Sequence, residues 1–186
     1  MKEIRLLSMW SVIFLALLSG CKKDDEPIKF NIEPGDRVGD YYLGDNLQTN
    51  ISKIVTKLGT LSWLDHTSFD WTGDLYWNEI LCDTLGVKFI VIKDNTNMDN
   101  NDVPDIIMAY EPFDGRTAKG ITFGSYLTKV SSAYGTPDYV DPDYGDYYYD
   151  VLGIGFYADN TNTRVSSILI YEPGFFKSTD RKIIRP

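Results

Sequence analysis

The sequence predicts an α+β fold built from two tandem units, each a helix on an antiparallel meander, with the two halves forming one extended sheet. Three observations lead there. "VPDIIMAYEPF", from Val103, is echoed by "VSSILIYEPGF", from Val165. "LGVKF", Leu85 to Phe89, is echoed by "LGIGF", Leu152 to Phe156, and "DNTN" occurs at Asp94–Asn97 and again at Asp159–Asn162. The landmarks come in the same order in both halves, which is the mark of an internal duplication. Half a chain of this size exposes an apolar sheet face and an apolar helix stripe that two halves side by side would bury.

In chain order, the first 20 residues read as a targeting segment. Lys2 and Arg5 precede the apolar run "LLSMWSVIFLALL", which has the length of a signal h-region and is short for a bilayer span. "LSGC", Leu18 to Cys21, resembles the lipobox of bacterial lipoproteins, which places cleavage before Cys21 and acyl chains on it. Several acyl chains anchor a protein stably without crossing the membrane. "KKDDE", Lys22 to Glu26, resembles the acidic surface-export tag that follows the lipidated cysteine in some Gram-negative phyla. The expected address is therefore the outer membrane, lipid-anchored and surface-exposed. The expected organisation is a signal peptide over 1–20, a lipidated flexible tether over 21–36, a first unit over 37–117 and a second over 118–186.

The formal charge of −9 becomes −10 once residues 1–20, with Lys2, Glu3 and Arg5, are removed. Lysine and arginine are scattered singly among more numerous acids, so no basic face is available for nucleic acid. With Cys21 carrying lipid, Cys82 has no intrachain disulfide partner and reads as a small buried hydrophobe.

Each unit then predicts a helix. Ile51, Ile54, Val55 and Leu58 keep the i, i+3, i+4, i+7 spacing of one buried face, and Leu127, Val130, Ser131 and Tyr134 keep it in the second unit. Gly59 and Gly135 stand where left-handed C-terminal caps are wanted, and Ser125 where an N-cap is wanted. The "LG" segments alternate as half-buried strands, the "DNTN" segments read as polar hairpin connections, and Pro112 and Pro173 end the "YEP" strands because proline cannot donate to a ladder.

"GITFGSYLTKVSSAYGTP", Gly120 to Pro137, resembles the Gly-x-[Ser/Thr]-x-x-x-Val-x-x-x-x-Gly helix signature of the tandem-repeat fold of β-lactamase inhibitor proteins, found as a single copy in small lipoproteins of outer-membrane barrel assembly. The first unit departs from it by an insertion between Gly44 and Ile51 and by lacking proline after Gly59-Thr60. The resemblance implies protein binding through an aromatic-rich sheet face, and no catalysis.

The residues themselves point the same way. One histidine, His66 in "LDHTSFDW", is a poor start for a nucleophile and base, although Asp65 and Ser68 lie beside it. One histidine and one remaining cysteine cannot assemble a zinc site. "NMDNNDVPD" resembles an Asp-x-Asp-x-Asp-Gly calcium loop, with oxygens from Asn97, Asp99, Asn101 and Asp105, but Asp102 stands where glycine is wanted, and a solvated hairpin tip is the simpler reading. No cofactor and no metal are assigned. What stands out is aromatic: Trp63, Phe69, Trp71, Tyr76 and Trp77 in the first unit, and Tyr139, Tyr144, Tyr147, Tyr148 and Tyr149 in the second. Tyrosine and tryptophan supply large contact area at low entropic cost. The expected binding set is Trp63, Trp71, Tyr76, Trp77, Tyr144, Tyr147, Tyr148 and Tyr149; packing between sheet and helices is the bland alternative.

The expected function is a non-enzymatic surface lipoprotein that binds a protein partner, with surface glycan binding or an accessory role in envelope assembly as alternatives.

Overall fold

A computed structural model describes residues 31–60, 64–72 and 75–178. The chain opens with a small antiparallel sheet, β1 (Ile32–Glu33), β2 (Arg37–Val38) and β3 (Tyr41–Tyr42). Its two reversals turn at Gly35 and Gly39, whose φ values of 68° and 59° favour a residue without a Cβ. Helix α1 (Leu47–Leu58) follows, then β4 (Asp65–Thr72), β5 (Leu75–Cys82), β6 (Val87–Lys93) and β7 (Ile106–Tyr110). Helix α2 (Leu127–Tyr134) leads to β8 (Tyr139–Val140), β9 (Tyr147–Tyr149), β10 (Ile154–Ala158) and β11 (Val165–Tyr171), and the one-turn helix α3 (Phe175–Ser178) ends the described chain.

Strands β4 to β11 form an eight-stranded antiparallel sheet in the order β4-β5-β6-β7-β11-β10-β9-β8. The two "YEP" strands pair with each other at its centre, Met108 opposite Leu169 and Ile107 opposite Ile170. The "LG" turns support that pairing in the same way on both sides: Gly86 accepts from the Tyr110 amide at 2.9 Å and Gly153 from the Tyr171 amide at 3.1 Å.

The expected fold class is corrected by this architecture. The described chain is mostly β, its sheets number two rather than one, and its helices are few and short. The halves are also unequal: β4 and β5 have 8 residues each, whereas β8 and β9 have 2 and 3. The reason is that the segment before α1 pairs with itself into the small sheet. Residues 32–36, read as tether, belong to that sheet, and Ile32 is fully buried.

Both faces of the sheet's central strands are apolar and buried, which explains why β6, β7, β10 and β11 read as nearly continuous apolar runs rather than strict alternations. One core holds Val87, Phe89, Ile107, Phe156, Ile168 and Ile170 under Leu47 and Ile54 of α1, Leu127 and Val130 of α2, and Val38 and Tyr41 of the small sheet. The other holds Trp77, Ile90, Ile106, Met108, Tyr148, Leu169 and Tyr171 with Phe176 of α3. Cys82 is a buried free thiol in the first core.

Cap expectations divide. Gly59 is left-handed (φ 75°, ψ −1°) and its amide donates to Val55. Gly135 has positive φ but ψ −159°, so it is not the left-handed cap expected. The residue before α2 is Tyr126, without a side-chain cap; Ser125 instead accepts from the Thr122 amide at 3.1 Å.

Candidate functional site: a groove beside the sheet edge

Helix α1 is fastened at its start and along the flank facing the small sheet. Asn46 accepts from the Thr49 amide at 2.9 Å and starts the helix. Lys53 bonds to Asp45 at 2.5 Å and Lys57 pairs with Asp40 at 3.0 Å, drawing both lysines toward the small sheet, where they lie over the Tyr42 and Tyr41 rings. The helix start is tied to the loop after β6, with the Leu47 amide donating to Asp102 and the Gln48 amide to Asn100, both at 2.8 Å.

The expected face meets the core, with Ile54 in it and Ile51 and Leu58 packed against it, but it is only partly covered. Leu47, Asn50 and Ile54 are buried, while Ile51, Val55 and Leu58 are only half-buried. Two of those half-buried residues, Ile51 and Val55, line a hollow of about 590 Å³ together with Gln48, Ser52 and Thr56. An adjoining hollow of about 240 Å³ is formed by Leu47, the start of β4 at Asp65 and His66, Ile80 of β5 and the loop at Met98 to Asn100. Leu64 and Asn100 belong to both, so the two hollows make one groove with an apolar floor and a polar rim. Asp99 lines it and Asp65 stands at its edge at the start of β4, and among the described residues no lysine or arginine lines it.

The far wall is held by its own carboxylates. Asp102 accepts from the Lys93 ammonium and the Asp99 amide, both at 2.7 Å. Against the burial that would raise it, those two donors hold Asp102 below the usual aspartate range. Asp105 accepts from the Ile92 amide at 2.7 Å, and Asp99 from the Asn101 amide at 2.8 Å. The carboxylates of the loop read as a calcium motif thus turn to separate amides, and among the described residues no group of three His, Cys, Asp or Glu converges. Ser68 is likewise engaged, donating to Asn78 Oδ1 at 2.7 Å, so it is not poised on His66.

The aromatic residues expected to bind are dispersed. Trp77, Tyr148 and Tyr149 are buried, at 2%, 0% and 3% exposure. Tyr148 packs edge-on to Phe176 in the second core, while Tyr149 packs on Tyr134 and Phe156 and donates to the Gly135 carbonyl at 2.9 Å. Strand alternation sends these two neighbours to opposite faces, and both faces are covered. Tyr76 and Tyr147 are half-buried, and Tyr144 is 43% exposed. Trp71 lies on β4 at its register irregularity, and Trp63 and Cys21 lie outside the described residues, as does the apolar run before Cys21. Trp77, Tyr148 and Tyr149 are therefore core residues, and the eight aromatics do not form one exposed face.

Sequence reasoning missed the groove because it assigned Ile51 and Val55 to the buried stripe. The pattern carried no signal of it: Leu47, Ile51, Ile54, Val55 and Leu58 span an arc of about 100°, the width of an ordinary core-facing stripe.

No family model matches the chain, and no curated protein matches it. Among solved structures it is similar to a cysteine-rich secretory protein from Staphylococcus aureus, with 9% identity, a TM-score of 0.37, and coverage of 84% of this chain and 53% of that one. The chain thus spans about half the length of that protein, and a likeness this slight assigns neither fold nor activity.

Proposed function

We propose that this protein is a surface lipoprotein, anchored through Cys21 to the outer membrane, that binds another protein without catalysing a reaction. The observation that carries the binding role is the groove between α1 and β4, where apolar side chains of an ordered helix stay half-exposed inside a ring of polar and acidic groups. Protein-binding sites have this make-up, an apolar centre with a polar rim. The lipoprotein reading rests on the "LSGC" stretch and the tag-like "KKDDE". The resemblance of Gly120–Pro137 to the helix signature of β-lactamase inhibitor proteins favours a binding role as well, although the surface differs from the aromatic sheet face that resemblance implies.

The test is site-specific photo-cross-linking on intact cells. A photoreactive side chain at Thr56 or Asn100 should give one discrete protein adduct, and the same group at Val151, exposed and far along the chain, should not. Equal labelling from all three positions would remove the groove as the site. Cys21→Ser should release the protein from the membrane, and protease added to intact cells should cut the anchored form; protection would place it on the periplasmic side, where an accessory role in envelope assembly becomes the better reading.

Glycan binding keeps one supporting observation. Tyr139 and Tyr144 are exposed on either side of the exposed Asp143, rings and a carboxylate suited to a sugar and its hydroxyls. A glycan array with Tyr144→Ala as control separates it from the groove.

A further inference from the structure

We propose that the groove receives an extended, basic segment of the partner protein, which pairs with β4 as an added strand of the eight-stranded sheet. This rests on the groove being the protein-binding site and specifies what enters it.

The first observation is the edge itself. Strand β4 ends the sheet, and among the described residues the backbone of Asp65–Thr72 forms hydrogen bonds with β5 alone. An edge of 8 residues offers a long row of unpaired amides and carbonyls. Proteins usually blunt such an edge with lysine, proline, a bulge or very short length; "DHTSFDWT" contains neither lysine nor proline, and its register irregularity falls only after Asp70, leaving Asp65–Asp70 regular. The opposite edge follows the rule: β8 has only 2 residues. One edge is protected by brevity and the other is left long.

Side-chain placement supplies the second observation. A strand added beside β4 would lie about 4.8 Å from it and send alternate side chains to opposite faces. On the helix side those side chains meet the groove, with Ile51 and Val55 as one wall and Leu64 as the floor. On the other side lies Phe69, 43% exposed although it stands opposite the buried Trp77. The Phe69 ring with Asp65 on one face and the groove on the other give an incoming strand a different contact for each of its two sets of side chains, a carboxylate and a ring for cationic ones and apolar walls for the rest. This is the geometry of β-strand addition, in which backbone bonds supply affinity and pockets for alternate residues supply specificity.

Charge selects the class of segment. Asp99 lies at the groove and Asp65 at the edge on the Phe69 face of β4, among the described residues no lysine or arginine lines the groove, and the nearby lysines of α1 are committed to Asp45 and Asp40. The chain as a whole carries −9. A segment alternating basic and apolar residues complements both the apolar walls and the acidic rim.

The experiment uses the full-length chain in detergent with defined peptides: an alternating Lys-Val octapeptide, its analogue N-methylated at every second amide, and an alternating Glu-Val octapeptide. Affinity is read by fluorescence anisotropy, and hydrogen exchange of the 64–72 segment by mass spectrometry. The Lys-Val peptide should bind and slow exchange in 64–72. N-methylation, the change to Glu-Val, and Val55→Lys should each weaken binding about tenfold or more, or about 1.4 kcal/mol. Raising salt from about 50 to about 500 mM should weaken it severalfold. Absence of binding at millimolar Lys-Val peptide overturns the proposal. Binding that responds to Val55→Lys but not to N-methylation, with exchange in 64–72 unchanged, overturns strand addition while leaving the groove as a protein site. Concentration-dependent protection of 64–72 without peptide would place a second copy of this chain on the edge and also overturn it. Failure of the cellular cross-links with retained peptide binding would instead count against the groove's role in the cell.

Discussion

The Trp77 indole N–H donates to Glu79 Oε1 at 2.6 Å, and the same oxygen accepts from Lys88 Nζ at 2.9 Å. Glu79 is 3% exposed, so this carboxylate is a buried charge on the second face of the large sheet, with Thr67 Oγ1 at 3.3 Å from its other oxygen. Adjacent strands bring the three together, since Glu79 and Lys88 flank the paired Ile80 and Phe89 of β5 and β6. Removing Glu79 leaves an indole N–H and an ammonium short of an acceptor. Glu79→Ala should cost about 3 kcal/mol, and Lys88→Met, which removes the countercharge and leaves the buried carboxylate with its Trp77 and Thr67 donors, should cost a comparable amount. Urea unfolding followed by tryptophan fluorescence measures both, and a loss under about 1 kcal/mol for Glu79→Ala would mean that water replaces the network.

The two "LG" turns make a matched prediction. Gly86 (φ 64°) and Gly153 (φ 70°) both sit in the left-handed region, and a Cβ on either would collide with a backbone carbonyl, that of Tyr110 or of Tyr171. Those two tyrosines donate their amides back to the same glycines. Gly86→Ala and Gly153→Ala should therefore each destabilise by at least about 2 kcal/mol, through strain and through loss of the turn that supports the central strands. Gly44→Ala, where a Cβ meets nothing and φ is not positive, is the control and should be neutral in the same thermal scans.

Alkaline pH should unfold the protein. Burial, with Tyr147 and Tyr134 nearby, pushes the Tyr149 hydroxyl up to about 12. Burial is also the foremost cause of the upward shifts of Tyr110, Tyr148 and Tyr171. A raised phenol favours the fold while protonated, so this stability is present in full below the unfolded tyrosine value of about 10 and is lost as pH rises from there through the folded values. Urea midpoints should be level between about pH 8 and 9.5 and fall steeply above, with tyrosinate absorbance rising together with unfolding. Tyrosinate appearing well before loss of structure would contradict it.

Tyr148 and Tyr144 separate core from surface within one short segment. Tyr148 is sealed against Phe176, Tyr157 and Tyr139, while Tyr144 stands 43% exposed in the turn before β9. Tyr148→Ala should cost about 3–5 kcal/mol, the range for emptying a buried aromatic site. Tyr144→Ala should stay within about 0.5 kcal/mol and alter only surface interactions. Chemical denaturation of the two variants side by side decides it.

Much of the secondary structure was legible because its signals are local. Pro112 and Pro173 follow β7 and β11 by one residue or more, Gly59 caps α1, and the spacing of Leu127, Val130 and Tyr134 marks α2. The candidate site was not legible. Alternation in "YYY" reveals that Tyr148 faces away from Tyr147 and Tyr149, yet whether either face meets water depends on what lands there from elsewhere in the chain. The same limit hid the groove, because the contacts that seat α1 reach back to Asp40 and Asp45 and forward to the loop at Asn100 and Asp102.

From the amino-acid order alone came the turns, the strand ends and the positions of the long apolar strands, since glycine, proline and side-chain periodicity act over a few residues. Tertiary packing alone decided that the strands before α1 form a separate sheet, that both faces of the central strands of the large sheet are buried, and that one flank of α1 stays half-open beside an edge strand unpaired among the described residues. Burial is a sum over distant segments, and the free energy that covers one tyrosine and leaves another in water is written in contacts across the fold rather than in neighbours along the chain.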